Sequence, residues 1–214
     1  MTTTELPDYY ATVADDVLAF CGTTGGRVWA DVGAGAGGLG LALLQRLPEA
    51  IMVLMDPNAD ALGRALAVAR KRRLAPRAVA VVGAAESMPL PDASVDVVVS
   101  RGSFYFWQDR AQGLREVWRV LRPRGRAMIG GGLGRGYPRW ARQEFIRRRR
   151  QSLKSTDAAR AFAEARSPQT FRRLAQAAGL RSFEVVGQGG LGPGDLNTGI
   201  GIWLQITKET GSGQ

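Results

Sequence analysis

Histidine is missing altogether from this chain of 214 residues. That removes the commonest general base and the commonest metal ligand together, so histidine-dependent triads and histidine-ligated zinc sites are excluded. Cysteine is almost missing as well. Cys21 stands alone, which leaves no disulfide framework within the chain and no thiolate metal cluster. No apolar run approaches the ~20 residues needed to cross a bilayer. The opening "MTTTELPDYY" is acidic and polar where a secretory signal would be basic and then apolar. A cytoplasmic protein with no membrane partner is the expectation. Lysine is scarce, at Lys71, Lys154 and Lys208, so the net charge of +10 is carried by arginine.

The arginines are dense in two runs, Arg70 to Arg73 and Arg147 to Arg150. A phosphate-rich partner, nucleic acid above all, is one reading of them. The plainer reading is a pair of solvated helix faces, because no recognisable nucleic-acid module accompanies them. No specific nucleic acid is expected. With 45% apolar residues the chain is long enough for one well-buried core, and a single domain over 1–214 is expected.

Hydrophobic periodicity predicts a succession of strand and helix units. Tyr10, Val13, Val17 and Phe20 mark an amphipathic helix over Asp8 to Cys21. Short apolar strands follow at Val28 to Val32, Ile51 to Asp56, Ala78 to Gly83 and Val95 to Ser100. Between them lie a helix running to about Leu47 and a second helix capped by Asn58. Leu114, Val117, Trp118 and Leu121 give the clearest helix, after which "RPRG" makes a turn. "RAMIGGG" is a fifth strand, and Ser167 with Pro168 opens a late helix closed by Gly179. "FEVVG" and "IGIWLQIT", joined by "QGGLGPGDLNTG", suit an antiparallel hairpin at a sheet edge. "GSGQ" reads as a frayed tail. The pattern implies an α/β fold with a doubly wound, mostly parallel sheet. A helical insertion over 134–166 emerges beyond the carboxyl ends of the strands, where ligands bind, and is the expected lid.

The stretch "VWADVGAGAGGLGLALL" carries most of the functional information. Gly33, Gly35 and Gly38 satisfy G-x-G-x-x-G, and Asp56 follows about 20 residues on, as a ribose-binding acid would. Taken alone this suits a dinucleotide or another ligand that approaches the backbone closely. Asp31 ends the first strand inside the motif, where it would repel a pyrophosphate and welcome an ammonium group.

At this point the chain resembles the class I S-adenosylmethionine-dependent methyltransferases, of the kind that act on small molecules. "DVGAGAGGLG" resembles their first motif and "VLMD" their second. "VVGAAESMPLPDASVDVVVS" is similar to the segment that holds adenine and runs into strand four, and "LREVWRVLRPRGRAMIGGG" to their helix, turn and strand five. The match runs from about Asp8 to Gly132. It implies a seven-stranded sheet with a reversed last strand, and S-adenosylmethionine as cofactor. It further implies that Gly33, Gly35 and Gly37 pass under the methionine portion with Asp31 turned towards the ammonium group. Asp56 would accept from the ribose hydroxyls, Pro57 would lie against adenine, and Ala85 would offer its N–H to the ring. Ser100 and Arg101 would border the methionine carboxyl and amino groups. Ala84 stands where relatives carry an aspartate for the adenine amine, and Glu86 is the candidate to reach it instead.

Sulfonium methyl transfer is an in-line displacement that needs alignment and exclusion of water, and neither metal nor histidine. The acceptor side is expected in "SRGSFYFWQD", Ser100 to Asp109. Its aromatics can wall an apolar acceptor or steady a cation, with some of them packing under the next helix. Tyr105 and Ser103 are the polar candidates for catalysis. Arg101, placed to hold an anion, joins Tyr105, Trp107 and Tyr10 as candidate acceptor-binding residues. A small-molecule acceptor is the leading expectation. An RNA or protein acceptor recruited by the arginine runs, or a non-catalytic methyltransferase-like binding subunit, are the alternatives.

Overall fold

Alternation along the strands decides which side of the sheet each helix covers. The computed structural model describes residues 5–22, 28–152, 156–187 and 201–210. In chain order the strands are β1 (Val28–Val32), β2 (Ile51–Asp56), β3 (Ala78–Val82), β4 (Val95–Arg101), β5 (Leu121–Gly131), β6 (Phe183–Gly187) and β7 (Ile202–Thr207). Successive side chains point to opposite faces of a strand. Trp29, Met52, Leu54, Val97, Val99, Met128 and Trp203 therefore share one face, under α1 (Tyr10–Cys21), α2 (Gly38–Leu44) and α3 (Ala59–Lys71). Ala30, Val32, Met55, Val98, Ile129 and Leu204 share the other, against α4 (Arg110–Val120) and α7 (Pro168–Ala177). A sheet covered on both faces reads as continuous apolar strands, as these do.

The strand order is β3-β2-β1-β4-β5-β7-β6. The first five strands are parallel, and β7 runs antiparallel to both β5 and β6. The doubly wound seven-stranded architecture with a reversed last strand is what the periodicity and the resemblance predicted. The terminal pair is the antiparallel hairpin expected at a sheet edge, with β7 next to β5 and β6 outermost. The linker "QGGLGPGDLNTG" and the tail "GSGQ" lie outside the described residues.

Local chemistry sets the helix ends. Asn58, Asp109 and Ser167 each accept a hydrogen bond from the backbone N–H three residues on, as N-caps do. The second helix stops at Leu44, before the expected Leu47. The "RPRG" turn is built into β5 as a bulge: Val95 pairs with Leu121, and two residues on Val97 pairs with Arg126. The extra residues are held by Arg124 N–H donating to Lys208 O and Lys208 N–H donating to Gly125 O. After β5 come α5 (Arg139–Ser152) and α6 (Thr156–Ala165), the helical insertion expected over 134–166, of which 153–155 are outside the described residues. No helix of the described residues is long and apolar enough to cross a membrane.

β7 approaches β5 so closely that a Cβ on Gly130 would sit 2.1 Å from Ile202 O and 3.0 Å from Trp203 Cα. Both are backbone atoms and cannot swing aside. Gly130→Ala is expected to lower unfolding free energy by roughly 1–3 kcal/mol through overpacking. Urea denaturation measures it, and an unchanged midpoint would show that β7 can shift at no cost.

Candidate functional site

The chain leaves β1 towards β2 on one side and reaches β4 and β5 on the other. The strand order thus reverses between β1 and β4, and ligands bind beyond the carboxyl ends of strands at such a point. The glycine loop occupies this position. Gly33 and Ala34 donate their N–H groups to Met55 O at 2.8 and 2.9 Å, tying the loop to β2. Gly33 has φ +73°, and a Cβ there would lie 2.2 Å from the Ser103 side chain. Gly35 also has positive φ, +54°, yet a Cβ on it would meet no atom within 4 Å. That is the open side of the loop. A Cβ on Gly37 would press Ala65 and Leu41 at 3.0 Å, and one on Gly38 would strike the Tyr10 ring. Gly37 therefore serves packing against α3, and Gly38 makes room for α1.

Two carboxylates flank the loop. Asp56, ending β2, accepts from Gly35 N–H at 2.8 Å with one oxygen and from Asn58 N–H at 2.9 Å with the other. Asp31, next to last in β1, is 2% exposed and accepts from Gly40 N–H at 2.8 Å. Burial pushes the Asp31 carboxyl up to about 7; the Gly40 N–H pulls the other way, and the Asp56 charge adds to the rise. Pro57 is exposed and Ala85 is buried, both within the β2 and β3 ends of the edge. Glu86 turns away from that edge. Its Oε1 accepts from Gln108 and Asp109 N–H at 2.5 and 3.2 Å, at the start of α4. One oxygen of Glu86, the residue expected to stand in for the aspartate replaced by Ala84, is thus engaged by orphan N–H groups at a helix start.

The loop after β4 sorts its side chains by direction. Ser103 Oγ donates to Val32 O at 2.8 Å and lies 2.6 Å from Ser100 Oγ. It also accepts from Trp107 Nε1 at 3.3 Å. A hydroxyl so fully engaged is a bracket between β1 and β4, which corrects its assignment as a catalytic group. Trp107, 9% exposed, stands edge-on to Phe104 with centroids 5.1 Å apart, and a Cβ on Gly113 of α4 would strike its ring. Its assignment to the acceptor is corrected too: the indole is core under α4. Phe106 points out, 79% exposed.

Tyr105 takes the remaining direction, inward. Its hydroxyl is out of solvent, with no hydrogen-bond partner among the described residues. The Arg166 guanidinium lies 3.6 Å over the ring. Burial pushes the phenol up to about 12, against Arg166, Arg101 and Arg110, which pull it down.

Arg101, at the end of β4, donates from Nε and Nη2 to Gly132 O at 3.1 and 3.0 Å. Its guanidinium lies 3.9 Å over the Tyr9 ring and 5.6 Å from the Tyr10 centroid. Tyr10 packs on the glycine loop, so the structure sets it beside Asp31 and Gly38. Sequence reasoning missed the bonds that fasten α1 across the top. Thr12 Oγ1 donates to Leu133 O at 2.5 Å, Arg135 pairs with the buried Asp16, and the Tyr137 hydroxyl donates to Pro7 O. It also missed Arg110 and Arg166; nothing in their local sequence distinguishes them from the other arginines. The run Arg70 to Arg73 closes α3, which returns to the amino-terminal edge of the sheet, away from this site. In α5, Arg147 and Arg148 both pair with Glu144 at 2.7 Å.

A glycine loop at the switch point, a carboxylate ending β2 and a reversed β7 define the class: a Rossmann-like methyltransferase domain. Residues 30–129 match the family described as a methyltransferase domain. The chain is similar to a rice chloroplast 2-methyl-6-phytyl-1,4-hydroquinone methyltransferase, 35% identical over 101 residues, 47% of this chain and 28% of that one. An uncharacterised methyltransferase of Mycobacterium tuberculosis is 40% identical over 97 residues, 45% of this chain and 36% of that one. These matches thus span about a third of the curated relatives. The crystal structure of a protein from Methanococcus maripaludis, described as an S-adenosyl-L-methionine-dependent methyltransferase, superposes with TM-score 0.78 at 26% identity. That superposition covers 95% of this chain and 87% of the other.

Trp107→Ala should cost roughly 3–5 kcal/mol of stability, the range for a buried aromatic cut to alanine. The urea midpoint reads it directly; a variant as stable as the parent would return Trp107 to the acceptor side. Asp31 sets a pH dependence. In the unfolded chain an aspartate titrates near ~3.9, and in the fold near 7. Between those values the folded state keeps a proton that the unfolded state has released. Its contribution to stability therefore falls as pH rises from about 4 to about 7 and is level beyond. Asp31→Asn keeps an oxygen for Gly40 N–H and should flatten that slope in denaturation curves taken across this window.

Proposed function

We propose that this chain transfers the methyl group of S-adenosylmethionine to a small-molecule acceptor held between the glycine loop and Tyr105, with α5 and α6 as the lid. The observation that carries the reading is the open side of Gly35, whose N–H is held by Asp56 at the switch point of the sheet. The residues present fit the cofactor. A Cβ at Gly35 would fill the cradle, and Asp56 engages one backbone N–H per oxygen, which leaves lone pairs for two ribose hydroxyls. Gly33, Gly35 and Gly37 would carry the methionine portion, Pro57 and Ala85 the adenine, and Ser100 and Arg101 the border at β4. Asp31 would act on the ammonium group through its field, since its carboxylate is braced on Gly40. A nearby cation offsets the cost of ionising a buried carboxyl. A relative named for a hydroquinone supports a small acceptor.

S-adenosylmethionine supplies, when bound, a methyl carbon activated by sulfonium charge. The chain's own part is alignment and exclusion of water. Tyr9 and Tyr10 with Arg101 close one side of the cleft, and Tyr105 with Arg166 closes the other. A phenol pushed up to about 12 keeps its proton near neutrality, so Tyr105 Oη positions the acceptor as a donor and removes no proton. The acceptor then attacks with a lone pair it already has, as a thiolate, a neutral amine or a stabilised carbanion.

Calorimetry with S-adenosylmethionine, S-adenosylhomocysteine and NAD tests the reading. The first two should bind and the third should not. Asp56→Ala should weaken cofactor binding by roughly 1–3 kcal/mol, the scale for hydrogen-bonding groups left without a partner. Tight NAD binding with no response to the sulfonium ligand would sink the proposal.

A further inference from the structure

The Tyr105 hydroxyl combines two features that are costly apart. It is a protonated donor, removed from solvent, and it has no acceptor among the described residues. The charges that bear on it, from Arg166, Arg101 and Arg110, are all positive. A buried hydroxyl left without a partner is uncommon in folded proteins and calls for an explanation. A missing acceptor in a cationic setting points to a negatively charged oxygen.

The geometry around the hydroxyl is specific. Arg166 follows α6 and lies with its guanidinium 3.6 Å over the phenol ring. Arg110, in the first turn of α4, donates to Tyr105 O at 3.1 Å and faces the Phe104 ring at 5.9 Å. Burial pulls Arg166 down to about 10; Tyr105 opposes that fall, while Arg149 of α5 and Arg110 add to it. Three separate elements, β4, α4 and the segment after α6, thus bring guanidinium charge to bear on one phenol. The phenol in turn abuts β5: a Cβ on Gly131 would stand 3.3 Å from its hydroxyl oxygen. This is the carboxyl edge of the sheet, next to the loop whose Ser103 covers Gly33. An acceptor reaching from Tyr105 to the open side of Gly35 would set its far end among the arginines.

We infer that the acceptor of this methyltransferase carries an oxyanion, a carboxylate or a phosphoryl group, held by the Tyr105 hydroxyl together with Arg166 and Arg110. Guanidinium forks and a phenol donor match the planar or tetrahedral oxygens of such groups. Tyr105 and Arg166 then determine specificity: the phenol donates and the arginine supplies charge. The inference rests on the methyltransferase reading for where the acceptor lies, and its test is kept separate from that reading.

The experiment is calorimetric titration of the full chain loaded with S-adenosylhomocysteine, at constant ionic strength. The probes are benzoate, inorganic phosphate and inorganic diphosphate, with benzamide as the neutral control. One class of oxyanion should bind with one-to-one stoichiometry, and the benzoate and phosphate arms tell which. Benzamide should not bind. Tyr105→Phe should weaken the anion by about ten- to a hundredfold, the loss of one hydrogen bond to a charged group, with S-adenosylhomocysteine binding unchanged. Arg166→Gln should weaken it at least as much, and Arg166→Lys should restore part of the loss. Benzamide binding as well as benzoate, no binding of any anion, or variants that bind anions like the parent would each overturn the inference while leaving the cofactor reading standing. Failure of S-adenosylhomocysteine to bind would overturn the cofactor reading alone, and the same titrations on the unloaded chain would then decide the oxyanion.

Discussion

The contact between Ser103 and Gly33 is the constraint on which the rest of the site depends. A side chain at position 33 would overlap Ser103, and only glycine permits the two loops to meet. Once they meet, Ser103 Oγ reaches Val32 O, takes the Ser100 hydroxyl and receives the Trp107 indole N–H. One hydroxyl thereby joins the carboxyl ends of β1 and β4 to the packing under α4. The switch point is a place where the sheet offers no strand-to-strand ladder beyond the strand ends, so side chains must supply the cohesion. With Ser103 and Trp107 spent on that task, Tyr105 is the polar side chain of its loop turned inward beside the buried Phe104.

A second set of bonds closes the top. α1 precedes the sheet in sequence, yet its side chains are held by the segment that follows β5. Thr12 meets Leu133, Asp16 meets Arg135, and Tyr9 lies under Arg101. Gly134 belongs to this closure, because a Cβ there would stand 2.5 Å from the Thr12 backbone. A small third core of Leu133, Tyr137 and Ala141, with Leu6, Tyr9 and Phe145, forms where the two segments join. This end of the sheet is thus roofed by one coupled unit; Arg46 and Arg126 hold α1 by its carbonyls, and the unit is tied to β4 through Arg101. Its guanidinium serves a carbonyl and an aromatic face together, a pairing that a lysine would not reproduce.

The arginine-rich composition divides by location. In α3 the basic residues end a helix, where positive charge complements the exposed carbonyls. In α4, Arg119 bonds Glu116, Asp92 and the carbonyls of Met88 and Leu90, and so braces the segment leading into β4. The pair holds Glu116 below the ordinary carboxylate range. Around Tyr105 the same residue type gathers beside a buried phenol. One amino acid thus serves as solvated face, brace and electrostatic lining, and composition alone does not separate these roles.

Periodicity and spacing in the sequence determined the strands, the helix caps at Asn58 and Ser167, the doubly wound order and the position of the glycine loop with Asp31 and Asp56. These are local or nearest-neighbour properties, since a strand's faces and a helix's cap are set by residues close in the chain. The directions of side chains in one irregular loop were not legible in this way. Ser103, Trp107 and Tyr105 lie within five positions of each other, and their local sequence assigns them similar chances of facing the acceptor. Only the tertiary structure decided among them, because Gly33 and Arg166 come from distant parts of the chain, and Gly113 from the next helix, to claim each direction. Glu86 follows the same rule, drawn to the start of α4 by N–H groups that spacing does not reveal. Backbone pattern is written locally; the orientation of a functional side chain is settled by which remote partner reaches it first in the folded state.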